Sequence, residues 1–343
     1  SPNSPNSSSD VLDFVVHKAN GLKGLVDTGL QSLPHQYILP PEERLPTSQV
    51  ISQESIPIID VSNWDDPRVA KSIFEAASKW GFFQIINHGI PQEILDHTLD
   101  AAHGFFGLTN EERKKFWKGQ SPTDTVFLAT SFSPLTEKVL EWKDYLSFHY
   151  ISGDDKSQAL WPSVCKDEVL EYMKRAELLI KKLLELLLRK LNVKEIDKNK
   201  GNALMGSVRI NMNYFPHCPN PELVAGVGPH SDISSITVLL QDDTGGLYVR
   251  GIEEGGSWIH IQPVNGALVI NIGDVLQIMS NDQYKSIEHR VIANGSRNRV
   301  SVPIFVNPGP DALIGPLPEV LETGAAPRYK SVLFSDYLSY FFS

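Results

Sequence analysis

Disulfide bonds cannot organise this chain, because its 343 residues include only two cysteines, Cys165 and Cys218. Two cysteines are too few for a disulfide framework or for a structural zinc cage. So low a count is usual for proteins of a reducing compartment. We therefore expect a cytoplasmic protein.

Basic blocks and long apolar runs are also missing. Lys and Arg total 31 against 41 Asp and Glu, and no Lys/Arg cluster stands out, so nucleic acid is not an expected partner. The most apolar long stretch, residues 180–191, contains five charged residues and cannot be a membrane span. The expected partner is a small molecule, and the expected state is a monomer.

Hydrophobic residues make up 41% of the chain and aromatic residues 9%, which is enough for a large core. The pattern along the chain predicts five regions. They are a disordered Ser/Asn/Pro tail at 1–10, a mixed α/β region at 11–165, packing helices at 166–205, a β-rich core at 206–310, and a C-terminal segment with a helix at 311–343.

Apolar spacing predicts the individual elements. Helices are expected near 11–33, 68–80, 92–106, 167–191 and 333–342, a capping box near 109–112, and strands at 56–60 and 82–86. After residue 206, short runs of Val, Ile, Tyr and Leu alternate with Gly, Asn, Asp and Pro. That texture is typical of an antiparallel sandwich or barrel.

The least regular segment, residues 119–162, is rich in aromatic side chains, Phe132 and Phe148 among them. A segment with so many rings is not an idle linker. We expect it to pack over another part of the fold, such as an active site.

A metal-binding pattern occurs in the β-rich part as His230-Ser231-Asp232, followed later by His289. Residues two apart on a strand project from the same face, so His230 and Asp232 can reach one ion. Two imidazoles and one carboxylate form the facial triad of iron(II) oxygenases, which leaves positions open for oxygen and a chelating cosubstrate.

The triad alone is weak support. With ten histidines in the chain, a chance His-x-Asp match is common, and ordinary hydrogen-bonded histidines remain an alternative. A hydrolytic zinc site uses the same ligand types.

Arg299 and Ser301, across a turn-like Asn294-Gly295 from His289, distinguish these alternatives. Their spacing puts a guanidinium fork and a hydroxyl on one strand face, where they can hold the far carboxylate of a small diacid. A hydrolase has no need of this pair.

These motifs resemble the plant 2-oxoglutarate/iron(II)-dependent dioxygenase superfamily. The resemblance rests on His230-x-Asp232, His289 and Arg299-x-Ser301 in this order, and on residues 56–60, 80–89 and 213–219. It covers residues 11–343.

The resemblance implies a mainly β fold with α-helices, built on a double-stranded β-helix (jelly-roll) core with flanking helices and a mixed N-terminal region. It implies iron(II) on His230, Asp232 and His289, and 2-oxoglutarate as cosubstrate on Arg299 and Ser301, with Asn213 near its metal-bound end. Oxygen is the second cosubstrate and ascorbate the expected activator. Family members usually carry Tyr where this chain has Phe215, which predicts weaker binding of 2-oxoglutarate here.

Within the superfamily, residues 14–25, 130–134, 141–145 and 302–308 resemble the feruloyl-CoA 6'-hydroxylase and p-coumaroyl-CoA 2'-hydroxylase group. That resemblance implies ortho-hydroxylation of a hydroxycinnamoyl-CoA thioester, with cyclisation to a coumarin such as scopoletin or umbelliferone. Predicted substrate-pocket residues are Phe305, Phe132, Phe148, Asn211 and Phe215. The candidate cations for coenzyme A are Arg209, Lys143, Lys285 and Arg297.

Other readings remain open at this point. The enzyme could instead hydroxylate a free coumarin in the manner of a scopoletin 8-hydroxylase, or a flavonoid or an alkaloid. From a different class, a non-catalytic ligand-binding jelly roll would keep the fold without the chemistry.

Overall fold

The computed structural model of this chain describes residues 8–51, 54–252 and 256–341. Within them lie eleven α-helices: α1 Ser8–Leu12, α2 Gly21–Asp27, α3 Pro67–Lys79, α4 Gln92–Phe106, α5 Asn110–Lys114, α6 Asp155–Gln158, α7 Lys166–Lys190, α8 Lys198–Met205, α9 Asp274–Met279, α10 Pro318–Leu321 and α11 Phe334–Phe341. None of these helices is both long and apolar enough to cross a membrane.

The strands in the same described ranges number fifteen. They are β1 Val50–Ile51, β2 Ile58–Asp60, β3 Phe82–Ile86, β4 Val126–Thr130, β5 Asp144–Tyr150, β6 Ser207–Phe215, β7 Val227–His230, β8 Ile236–Gln241, β9 Leu247–Arg250, β10 Trp258–His260, β11 Leu268–Ile272, β12 His289–Val291, β13 Arg299–Asn307, β14 Leu313–Ile314 and β15 Val332–Leu333.

Two sheets carry the fold. The large sheet has eight strands in the order β2-β3-β11-β8-β13-β6-β5-β4, and the small sheet has five in the order β1-β10-β9-β12-β7. Most neighbouring strands are antiparallel; the pairs β2–β3 and β1–β10 are parallel. Two facing, mainly antiparallel sheets with long crossovers make a jelly roll, so the predicted fold class is confirmed.

The two faces of the large sheet have different roles because side chains alternate along each strand. On β13, Val300, Val302, Ile304 and Val306 point to the helices and belong to the main core. Residues of the opposite, inner face pack against the small sheet, as Phe82, Phe215 and Val269 do against Leu247, Val249 and Val291. The inner face is therefore where a ligand can lie between the sheets.

Helix α7 covers much of the outer face and contacts α3 and α4. Apolar residues recur along it at three- and four-residue spacing, and its buried residues run from Val169 to Leu188. The helices predicted at 68–80, 92–106, 167–191 and 333–342 correspond to α3, α4, α7 and α11.

Some boundaries predicted from the sequence need correction. The predicted β-rich core at 206–310 does not contain the whole large sheet, because β2 to β5 from the N-terminal part hydrogen-bond into it through β11 and β6. In the predicted tail, residues 1–7 lie outside the described residues, whereas Ser8 already starts α1. The predicted helix at 11–33 is interrupted where Ala19 and Gly21 adopt positive φ.

Asp144 on β5 connects the N-terminal helices to the sheet. Its carboxylate accepts hydrogen bonds from the backbone N–H groups of Leu22 and Lys23, both at 2.8 Å. Gly21 allows this approach, since a Cβ there would lie 2.8 Å from Asp144 Oδ2 and its φ is +66°. A buried carboxylate thus caps α2 from a strand more than 100 residues away.

We expect Asp144→Ala to destabilise the fold by about 2–5 kcal/mol, because the buried N–H of Leu22 and the part-buried N–H of Lys23 would lose their acceptor. Urea unfolding monitored by circular dichroism measures the change. Asp27→Ala is the matched control: its half-exposed carboxylate pairs with Lys23 at the surface, where such pairs contribute little. Equal stability of the two variants would contradict this account of α2.

Candidate functional site

The predicted triad residues converge at one end of the neighbouring strands β7 and β12. His230 ends β7 and lies directly opposite His289, the first residue of β12. Asp232 lies just past β7, and its Oδ1 is 3.4 Å from Nε2 of each histidine. The three ligand atoms all lie within 4.8 Å of one another, so these side chains could hold one metal ion.

Backbone carbonyls orient both imidazoles. Nδ1 of His230 is 2.8 Å from the Gly228 carbonyl, and Nδ1 of His289 is 3.1 Å from the Ile287 carbonyl. In a neutral imidazole with its proton on Nδ1, that N–H donates to the carbonyl and the Nε2 lone pair remains for a metal. Phe82 packs edge-on against His289, 5.0 Å between ring centroids, and fixes the ring from the side.

Two donors hold the other oxygen of Asp232. Its Oδ2 accepts hydrogen bonds from Thr237 Oγ1 at 2.8 Å and from Asn271 Nδ2 at 2.9 Å. Burial alone would raise the pKa of Asp232, but His289 and His230 hold that pKa well below its usual range. The carboxylate is therefore an anion with Oδ1 directed at the two imidazoles.

The donor set fits iron(II). Two neutral nitrogens and one carboxylate oxygen on one side of an ion leave the remaining positions for other ligands. Asp232 and His289 are buried, whereas the side chain of His230 is 37% exposed. The triad is thus closed from behind and open on the side of His230.

Arg299 lies on the inner face of β13 and is almost fully buried. Its Nη2 donates to Gln241 Oε1 at 2.9 Å, while Nε and Nη1 have no hydrogen-bond partner among the described residues. Burial lowers the pKa of Arg299 to about 10, against the opposing charge of Asp242, so it remains a cation at neutral pH. A buried cation with two idle donors is costly unless an anion binds it.

Ser301 and Asn213 lie next to this guanidinium. They face each other across β13 and β6, and Asn213 Nδ2 donates to Ser301 Oγ at 3.4 Å. The Gln241 amide nitrogen, on the next strand, is also buried without a described partner. Together with Arg299 these groups fit a ligand that brings a carboxylate, as 2-oxoglutarate does.

Phe215 is the direct neighbour of Arg299 across the two strands. Its ring is fully buried, and the guanidinium carbon of Arg299 lies 5.3 Å from the ring centroid. The aromatic face stabilises the buried cation but offers no hydrogen bond to a bound carboxylate.

The predicted substrate-pocket residues separate into three groups, and Phe215, described above, belongs to the inner-face group. Phe305 and Asn211 lie on the inner face, and Asn211 Oδ1 is buried without a partner among the described residues. Phe132 follows β4 and is 56% exposed. For Phe148 the prediction is wrong: it lies on the outer face, fully buried in the main core and 4.8 Å from Trp161 between ring centroids.

Thr237 and Asn271 are site residues that sequence reasoning missed. Asn271 is a single amide in the otherwise apolar strand Leu268–Ile272, and all five residues are buried. A lone polar residue in a buried strand needs a hydrogen-bond partner, and that signal could have identified it. Thr237 gives no such signal, because Thr is common in strands.

Comparison with known proteins agrees with this geometry. A model of the 2OG-Fe(II) oxygenase superfamily matches residues 208–308, and the N-terminal model described as non-haem dioxygenase in morphine synthesis matches residues 56–167. A feruloyl CoA ortho-hydroxylase of Ipomoea batatas is 59% identical over 97% of this chain and 93% of its own length.

Two further proteins extend the comparison. A bi-functional coumaroyl CoA and feruloyl CoA ortho-hydroxylase of Ruta graveolens is 52% identical over 97% of this chain and 91% of its own length. The crystal structure of JOX2 in complex with 2OG, Fe, and JA superposes with a TM-score of 0.81 at 34% identity, over 93% of this chain and 92% of that chain.

The jelly roll brings two imidazoles and a carboxylate together, and relatives are more than half identical along nearly all of the chain. Both observations argue against a zinc hydrolase and against a non-catalytic binder. The chain belongs to the 2OG-Fe(II) oxygenase superfamily and is an iron- and 2-oxoglutarate-dependent dioxygenase.

Proposed function

We propose that this enzyme hydroxylates a hydroxycinnamoyl-CoA thioester, feruloyl-CoA or p-coumaroyl-CoA, on the ring carbon ortho to the side chain. The product would cyclise to a coumarin such as scopoletin or umbelliferone. The observation that carries this proposal is the similarity, over 97% of the chain, to relatives named as feruloyl CoA and coumaroyl CoA ortho-hydroxylases.

In this proposal each site residue has a role. His230, Asp232 and His289 hold iron(II); Arg299 and Ser301 hold the distal carboxylate of 2-oxoglutarate, and Asn213 lies near its other end. When bound, the metal and 2-oxoglutarate supply the oxidising chemistry with oxygen, and 2-oxoglutarate leaves as succinate and carbon dioxide.

The protein itself binds the cosubstrate, orients the groups of the site and excludes water. Arg299 neutralises one end of the cosubstrate. Thr237 and Asn271 donate to Asp232 Oδ2 and thereby orient Oδ1 towards the metal site. Phe82, Phe215 and Val269 form an apolar wall between the two sheets. A dry wall of this kind protects a reactive centre from side reactions.

A substrate screen tests the proposal. The iron-loaded enzyme, with 2-oxoglutarate and ascorbate, is offered feruloyl-CoA, p-coumaroyl-CoA, free ferulate and scopoletin in separate reactions. We expect a product heavier by one oxygen atom, with matching succinate release, from the thioesters. Product from ferulate or scopoletin with none from either thioester would overturn the proposal.

The cellular context belongs to the same proposal. We expect a cytoplasmic monomer that binds no nucleic acid; the two cysteines are free and buried, as suits a reducing compartment. Light scattering of the purified enzyme in solution tests the monomeric state.

The two hydrogen bonds to Asp232 Oδ2 give a testable prediction. We expect Asn271→Leu to weaken iron(II) binding by roughly 10- to 100-fold, the usual cost of losing a partner of a metal ligand. Anaerobic iron titration measures the change. Thr237→Ser keeps its hydroxyl and serves as the control; iron binding by Asn271→Leu that equals that of Thr237→Ser would count against this role.

Phe215 gives a second prediction. We expect Phe215→Tyr to lower the apparent KM for 2-oxoglutarate by roughly 10-fold or more, because a hydroxyl beside Arg299 can donate to the bound carboxylate, and such hydrogen bonds contribute about 1.5–3 kcal/mol. Succinate release at varied 2-oxoglutarate measures it.

The control for this change is Tyr214→Phe, which removes a hydroxyl from the adjacent residue. Tyr214 points to the outer face and stacks on Phe106, 4.8 Å between ring centroids. The Tyr214→Phe substitution should therefore leave the KM for 2-oxoglutarate unchanged. An unchanged KM in Phe215→Tyr as well would show that position 215 does not reach the cosubstrate.

A further inference from the structure

A row of side chains crosses the inner face of the large sheet and leads away from the triad. Thr237 on β8, Phe305 on β13 and Arg209 on β6 are paired in register. Thr237 is the residue that donates to Asp232. Since neighbouring strands lie about 4.8 Å apart, Arg209 is roughly 10 Å from Thr237, with Phe305 between them.

Arg209 is a half-buried cation that has no acidic partner among the residues that the structure describes. Its Nη1 donates to Ser147 Oγ at 3.0 Å, and its guanidinium carbon lies 5.6 Å from the Phe127 ring centroid. No ion pair joins it to a carboxylate of the described chain. Its remaining N–H groups suit an acceptor on a ligand that lies over Phe305.

The row continues to the surface. Phe127 on β4, the last strand of the large sheet, contacts both Arg209 and Lys118, whose Nζ is 5.2 Å from the ring centroid. Residues 116–118 run alongside β4, and Lys118 is exposed. Arg209, Phe127 and Lys118, which we call the cationic path, thus connect the inner face with solvent.

A cleft of about 600 Å³ also lies near the triad, beside Pro229. Four Glu side chains and four Arg or Lys side chains line it, so it offers a polyanion no net attraction. Among the other cations considered from the sequence, Arg297 is paired with Asp243 and Lys143 with Glu141. The cationic path is the better match for an anionic ligand.

We infer that Arg209 donates a hydrogen bond to the thioester carbonyl of the substrate, and that the coenzyme A moiety leaves the site along Phe127 with its phosphates near Lys118. This inference rests on the proposed function. It makes Arg209 a specificity-determining residue: it fixes the side-chain end of the substrate, so that the ring lies over Phe305 with one ortho carbon towards the triad.

The test distinguishes the contribution of the thioester carbonyl to binding from that of the coenzyme A phosphates. Feruloyl-CoA and feruloyl-N-acetylcysteamine, a short thioester without phosphates, are titrated into the anaerobic enzyme loaded with iron(II) and 2-oxoglutarate. The variants are Arg209→Met, Lys118→Met and, as matched control, Lys115→Met, another exposed lysine of the same segment. Arg209→Gln is included as a second Arg209 variant, and binding of 2-oxoglutarate by every variant is measured first as a check of folding.

We expect Arg209→Met to weaken the binding of both thioesters by roughly 10- to 150-fold, which is the effect of losing a hydrogen bond from a charged donor. Lys118→Met should weaken the binding of feruloyl-CoA alone, by roughly 2- to 5-fold, because Lys118 is an exposed charge. Lys115→Met should change neither. Wild-type affinity of Arg209→Met and Arg209→Gln for both thioesters would overturn the inference, and so would equal effects of Lys118→Met on both.

Failure of the proposed function looks different. In that case the wild-type enzyme itself turns over neither thioester and accepts another aromatic compound. If instead the wild type hydroxylates both thioesters and the Arg209 variants bind them normally, the proposed function stands and only the role of Arg209 is lost.

Discussion

Asp232→Asn should reduce iron(II) affinity by more than about 100-fold and abolish product formation, since loss of a ligand should exceed what loss of a ligand's partner costs. The change keeps the shape of the side chain but removes its charge. It also brings in an amide whose orientation the surroundings decide.

Those surroundings work against the metal. Asn271 Nδ2 and Thr237 Oγ1 both donate towards the position of Asp232 Oδ2, so the new amide should place its oxygen there. Its NH₂ group would then face Nε2 of His230 and of His289, which lie 3.4 Å from the present Oδ1. An amide that donates to these lone pairs occupies the point where the metal binds.

Iron content after anaerobic loading, with succinate release as a second readout, measures the effect. His97→Ala is the control, because His97 lies at the surface on α4 and pairs only loosely with Glu93, at 4.0 Å. We expect this control to bind iron like the wild type. If Asp232→Asn did the same, these three residues would not be the metal site.

The candidate metal ligands could be predicted from the sequence because His-x-Asp, a later His and Arg-x-Ser together form a specific combination, although the triad alone does not. The structure brings His230, Asp232 and His289 to one point. It brings Arg299 and Ser301 to one face of β13. Asp232 lies beyond the end of β7 rather than on it, yet it converges with His230 as the alternation argument expected.

Pocket residues were harder to predict, because their role depends on strand register. Phe148 and Ser147 are adjacent on β5, but only Ser147 faces Arg209 and the ligand side. A shift of one residue moves a side chain to the other face of a sheet. An irregular, aromatic-rich segment gives no periodicity from which to choose the face, so Phe148 was misassigned.

Long-range pairing was also beyond the sequence. Nothing in residues 82–86 or 144–150 shows that these strands join β11 and β6, since apolar strands carry no label for their partner. The consequence for function is direct: β5 brings Ser147 and β4 brings Phe127 to the ligand side, so the N-terminal half supplies part of the proposed substrate path.

Arg299→Met should weaken binding of 2-oxoglutarate by about 2–5 kcal/mol, which is roughly 30- to several thousand-fold. The cause is the loss of the buried cation whose Nε and Nη1 have no partner within the described residues. The same substitution should leave the ligand-free protein at least as stable as the wild type, because it replaces an unpaired buried charge with an apolar chain of similar length.

Thermal unfolding with and without 2-oxoglutarate tests both halves of this prediction. A ligand that binds only the folded state raises its stability by an amount that grows with the ratio of ligand concentration to Kd. The wild type should therefore show a Tm increase that Arg299→Met lacks at the same concentration. Arg297→Met, two residues before Arg299 but exposed and paired with Asp243, should retain the increase. A variant at Arg299 that lost stability without ligand but kept its Tm increase would show that the guanidinium serves the fold rather than the cosubstrate.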